Sequence, residues 1–176
     1  MYEIMKNIKI IEGDITKLDV DAIVNAANPK MLGGGGVDGA IHSAAGPKLL
    51  EECRKVKSIN GIRCPFGEAK ITPSGNLLSK YVIHTAGPIY RNEKDPKSVL
   101  ISSYKNSLLL ALEHNCESIA FPAISCGAYG YPIKDAAFVA LKACSGQEFS
   151  KLEIVFCLFG SKTLDLWQSV YDQCNT

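Results

Sequence analysis

Short apolar runs alternate with longer helical periodicities along this chain. Ile8 to Ile11 predicts a strand, and Ala22 to Val24 forms the centre of a second. Gly39 to Ala45 and Lys48 to Val56 predict helix, interrupted near Gly46-Pro47, and Lys70 to Thr72 and Tyr81 to Thr85 predict two more strands. Leu100, Tyr104, Leu108 and Leu112 recur every four residues, which predicts a long helix from about Lys97 to His114. A strand over Ser118 to Phe121, a helix beginning at Pro132, a strand over Leu152 to Leu158 and a helix around Leu164 to Tyr171 follow. Strand and helix alternating in this way imply an α/β fold, with a mixed, mostly parallel sheet covered on both faces. In such sheets ligands bind beyond the carboxyl ends of the strands. That rule singles out the loops after Val24 and after Phe121.

Composition narrows the picture. No linker, repeat or low-complexity stretch divides the 176 residues, so residues 1–176 are read as a single domain. A net charge of +1 supplies no global field for nucleic acid or an anionic membrane. The seven scattered cysteines are odd in number and contain no C-x-x-C, which argues against a disulfide framework and a zinc site. Met-Tyr-Glu-Ile-Met-Lys at the start has no apolar signal core, and no window is long enough to span a bilayer. These features predict a cytoplasmic protein.

The first loop runs Asn25-Ala-Ala-Asn28-Pro-Lys-Met-Leu and then through four glycines, Gly33 to Gly36, to Val37-Asp38-Gly39. Glycines between a strand and a helix let a ligand approach the backbone, and the helix amides form an anion site. A formal G-x-G-x-x-G at Gly34, Gly36 and Gly39 is no Rossmann fingerprint, because Asn25 to Leu32 separate it from its strand and no strand-end acid follows at the right distance. The second loop, Phe121-Pro-Ala-Ile-Ser125-Cys126-Gly127-Ala128-Tyr129-Gly130-Tyr131-Pro132, contains no charged residue. A phosphate held here would therefore rest on backbone N–H groups rather than on Arg or Lys.

Gly13-Asp14-Ile15-Thr16, Val20 to Asn28, Leu32 to Gly46, Tyr81 to Pro88 and Phe121 to Pro132 together resemble the macrodomain family, specifically its MacroD-like hydrolase branch. The resemblance covers nearly the whole chain in order, and it implies the three-layer macrodomain fold and an ADP-ribose cleft. It implies that Asp14 accepts the adenine amine, supported by the Ile15 amide. The bland alternative is a cap. Phe159 matches an aromatic set against the adenine face, with a core role as the alternative. Gly35, Gly36 and Val37 from the first loop, and Ser125, Cys126, Gly127, Ala128 and Tyr129 from the second, would hold the diphosphate and distal ribose. Cys126 stands where the branch commonly has Thr.

By the same resemblance Asn28, Asp38 and His42 form the catalytic set at the distal ribose, with Asn25 bracing the loop. Asp38 and His42 are four residues apart and project from one helix face. A helix N-terminus lowers a carboxylate pKa, so Asp38 is expected to be a weak base, either accepting a proton or only placing water. His84, in an apolar strand, reads as a satisfied core histidine, and His114 as a partner of a helix C-terminus. The implied activity is removal of mono-ADP-ribose from acidic protein side chains and deacetylation of O-acetyl-ADP-ribose, without metal or redox cofactor. The implied partners are ADP-ribose, ADP-ribosylated proteins or O-acetyl-ADP-ribose. A non-catalytic reader of ADP-ribose, or a nucleic-acid- or protein-binding regulator, are the alternatives. Asn28 and Asp38 count against the first and the charge balance against the second.

Overall fold

Side chains alternate sides along a strand, and in the computed structural model of this chain they alternate between two cores. The structure describes residues 5–176, and Met1 to Ile4, most of the segment read for a signal peptide, lie outside the described residues. The strands are β1 (Ile8–Glu12), β2 (Ala22–Ala26), β3 (Ala69–Pro73), β4 (Tyr81–Thr85), β5 (Ser118–Phe121) and β6 (Glu153–Leu158). The α-helices are α1 (Gly36–Ala45), α2 (Pro47–Lys55), α3 (Pro96–Glu113), α4 (Ile133–Cys144) and α5 (Ser161–Cys174). One six-stranded sheet has the order β1-β6-β5-β2-β4-β3. All its pairings are parallel except β3 with β4, so the antiparallel strand lies at the edge.

Ala22 and Val24 of β2 point into the core shared with α3, α4 and α5, while Ile23 points into the core shared with α1 and α2. The same alternation separates Ile83 from Val82, and Ile154 and Phe156 from Val155 and Cys157. The result is the expected three-layer sandwich. Its larger core stacks Phe121 on Phe156 at 5.6 Å, with Tyr104 and Trp167 against the pair.

Two expectations need correcting. The four-residue stripe on α3 holds for Leu100, Tyr104 and Leu108, which are buried, but Leu112 is exposed and Ala111 takes the next inward place. A step of four outruns the 3.6-residue turn, so the inward face drifts back by one residue. Pro132 is not the first helical residue either. It is extended and sits as the cap before Ile133. The seven cysteines are all free, five of them buried.

Candidate active site

The parallel strands β1, β6, β5, β2 and β4 all end on one edge of the sheet, and the loops leaving them wall a cleft of about 810 Å³. Gly13, Asp14 and Ile15 follow β1, while Ala27 and Asn28 follow β2. Gly87 follows β4, Ser125 to Tyr129 follow β5, and Phe159 follows β6. Gly35, Gly36, Val37 and Asp38 close the cleft from the start of α1. Gly33 and Gly36 carry φ of 94 and 57, left-handed values that favour glycine. Among the described residues no group of three or more His, Cys, Asp or Glu is placed to hold a metal ion.

Two sets of donors face the cleft. The amides of Gly36, Val37 and Asp38 lie in the first turn of α1, where no intrahelical acceptor exists. In the loop after β5, Cys126 N donates to Ala123 O, Gly130 N to Gly127 O and Tyr131 N to Ser125 O. The amides of Gly127, Ala128 and Tyr129 donate to no backbone carbonyl among the described residues. Ser125 is held at φ 66, a left-handed conformation unusual for a residue with a side chain. This wall can accept an anion without a lysine or arginine.

Asp14 Oδ1 accepts from Thr16 N at 2.9 Å and from Thr16 Oγ1 at 2.7 Å, capping the short 3-10 turn Ile15–Lys17. These bonds hold its carboxyl below the usual range. The capping alternative is therefore real for one oxygen, while the residue also lines the cleft. Phe159 is 92% exposed at the cleft mouth, which removes the core alternative. Tyr129 meets Phe66 edge-on at 6.4 Å. The Cys126 thiol lies 3.6 Å from Ile124 O, and burial pushes it up to about 12, so it stays protonated.

Asn28 braces the glycine loop, the role expected of Asn25. Its Oδ1 accepts from Lys30 N and Met31 N, and its Nδ2 donates to Gly33 O at 3.1 Å. Asn25 is instead fully buried and donates to Asp38 Oδ1 at 2.8 Å. Asp38 departs from expectation as well. The residue is 4% exposed, and burial raises its pKa against the lowering effects of Asn25 and His42. Desolvation outweighs both, because the charged form has lost its water.

Asn25 takes Asp38 Oδ1, and Oδ2 lies beside Gly34, itself in the cleft lining. A Cβ at Gly34 would stand 3.0 Å from Asp38 Oδ2 and 3.4 Å from Asn28 Nδ2, so both polar ends converge over Gly34. His42, expected at the distal ribose, does not line the cleft. It lies behind Asp38 with Nε2 3.4 Å from Oδ1, and that nitrogen is buried without a hydrogen-bond partner. Sequence reasoning also missed Gly13, Gly87, Ile133 and Cys157 in the lining. Gly13, Gly87 and Cys157 lie at or just past strand ends, which was the available signal, whereas Ile133 opens α4.

Residues 24–140 match the family model described as the Macro domain. The chain belongs to the Macro domain family. An O-acetyl-ADP-ribose deacetylase of Citrobacter rodentium is 51% identical to this macrodomain over 170 residues, covering 94% of this chain and 96% of that protein. The Oceanobacillus iheyensis macrodomain solved with ADP superposes with a TM-score of 0.91 at 39% identity, covering 99% of this chain and 95% of that one. The Trypanosoma brucei macrodomain in complex with ADP-ribose superposes at 0.82 with 37% identity, over 98% of this chain and 71% of that one. No helix among the described residues is long and apolar enough to cross a membrane.

Proposed function

We propose that this macrodomain, residues 1–176 as one unit, binds ADP-ribose in the cleft and hydrolyses ester bonds at its distal ribose. The substrates are O-acetyl-ADP-ribose and mono-ADP-ribose esters on acidic protein side chains. One observation carries the reading: a buried carboxylate, Asp38, whose free Oδ2 converges with Asn28 Nδ2 beside an amide-lined wall. The similar structures solved with ADP and ADP-ribose support the ligand, and the similar deacetylase supports the reaction.

Adenine would lie between Asp14 and Phe159, with the diphosphate on the amides of Gly35 to Val37 and Gly127 to Tyr129. For the acetyl ester, water attacks the acetyl carbonyl carbon, the acyl C–O bond breaks, and acetate and the ribose hydroxyl are released. For the protein ester, water attacks the anomeric carbon and the side-chain carboxylate leaves. In both, Asp38 Oδ2 takes the proton of the water, and burial makes it a better base than an exposed Asp. Asn28 orients the ribose, and His42 acts on Asp38 from behind. Free cysteines throughout fit a reducing, cytoplasmic setting.

The test is release of acetate from O-acetyl-ADP-ribose, and of ADP-ribose from a glutamate-modified protein. Tight ADP-ribose binding with neither product released would make the domain a reader and overturn the hydrolase reading.

A further inference from the structure

Asp38 is held by a buried polar chain that begins two strands away. On β2, Asn25 continues the face of Ile23, toward α1 and α2. On β4, His84 continues the face of Val82 toward the same helices, and in the parallel register it stands directly opposite Asn25. Asn25 Nδ2 lies 2.8 Å from Asp38 Oδ1 and 3.2 Å from His84 Nδ1. His84 Nε2 lies 2.9 Å from Thr72 Oγ1 on β3. Asn25 and His84 are fully buried, and Thr72 and Asp38 are each 4% exposed.

The direction of this chain follows from which atoms can donate. An amide nitrogen carries two N–H groups and accepts nothing, so both Asn25 contacts are donations. His84 Nδ1 must therefore offer a lone pair, which puts the ring proton on Nε2, donating to Thr72. A flipped Asn25 amide would set its oxygen against the Asp38 carboxylate, so the carboxylate fixes the orientation. Burial also pushes the His84 pKa down to about 3, keeping the ring neutral.

We propose that His84 is a positioning residue for the hydrolytic step: by accepting one Asn25 N–H it directs the other onto Asp38 Oδ1 and leaves Oδ2 turned to the cleft. This rests on the reading of Asp38 as the group that handles the attacking water. The other titratable groups facing Asp38 are His42 on α1, Cys53 on α2 and Tyr129 in the loop after β5. Burial raises the pKa of both Cys53 and Tyr129, so neither competes for the role of charged neighbour.

The variants His84→Leu and His84→Asn separate this role from simple packing. Asn sets an oxygen near the place of Nδ1, whereas Leu has no acceptor. In His84→Leu, kcat on O-acetyl-ADP-ribose should fall roughly ten- to a hundred-fold with KM and ADP-ribose affinity held, as expected when a reacting group is misplaced from a distance. The acid limb of its pH profile, and the ¹³C titration of the Asp38 carboxyl, should move to higher pH as the Asn25 donation weakens. His84→Asn should recover most of both. An unchanged kcat and Asp38 titration in His84→Leu overturns the proposal, as does equal impairment in the two variants. The ¹⁵N shifts of His84 in the unmodified protein test it without any variant: a proton on Nδ1 rather than Nε2 overturns it. A wild type that turns over nothing removes the proposed activity, while the ¹⁵N pattern and the Asp38 titration still decide the His84 arrangement.

Discussion

Lowering the pH from neutral should destabilise this protein through one side chain, His84. Its ring is fully buried, and desolvation, followed by repulsion from His42, pushes its pKa from 6.5 to about 3. The unfolded chain therefore binds a proton that the folded chain refuses. The contribution of His84 to stability is complete above 6.5 and is lost as pH falls toward 3. The slope is about 1.4 kcal/mol per pH unit, so at about pH 5 roughly 2 kcal/mol has gone relative to about pH 7. That figure depends little on the folded pKa once it lies well under the working pH. Urea unfolding at both pH values, on wild type and His84→Asn, measures it. Each protein is compared with itself, so the packing lost in the variant cancels. Asp14, Asp21 and Asp95, whose pKa values are lowered, act at more acid pH and equally in both proteins. Wild type should lose about 2 kcal/mol more than the variant over this interval. Parallel losses in the two proteins would mean that folded His84 takes up a proton, and the donation from Asn25 to Nδ1 would be wrong.

Asp38→Ala should keep ADP-ribose affinity while turnover falls by about 10²–10⁴-fold in single-turnover assays, the loss expected for a positioned acid–base group. Because burial raises the Asp38 pKa, the acid limb of the wild-type rate profile should lie above the ordinary carboxylate range. A raised folded pKa also means that its contribution to stability is present when it is protonated and lost as pH rises through that value. Asp38→Asn should therefore raise Tm at neutral pH, with the gain vanishing in acid. Asp14→Ala should weaken ADP-ribose binding by about 1–3 kcal/mol in calorimetry, the value of a hydrogen bond to a charged group. In the same experiment wild type should bind ADP-ribose well ahead of NAD, AMP and GDP.

Much of this protein follows from local pattern. Alternation within strands and the 3.6-residue repeat in helices are properties of the backbone, so the strand and helix order was legible from residues near in sequence. The glycine-rich first loop and the uncharged, small-residue second loop stood out for the same reason, and the strand-end rule placed them on one edge. The character of Asp38 was not legible. Sequence put it in the first turn of a helix, where a lowered pKa is the local expectation, but packing of α1 against the sheet removed its water, and burial raises the pKa instead. His84 is the satisfied core histidine its strand suggested, but its link to Asn25, which read as a loop brace, was not legible. They meet because β2 pairs with β4 across 59 positions of sequence, in a register that sets them opposite each other. His42 shares a helix face with Asp38 as its spacing required, yet whether that face met the cleft or the interior depended on how α1 was rotated onto the sheet. Burial, register and rotation are settled by contacts between distant segments, and a periodicity read along one segment carries no information about them.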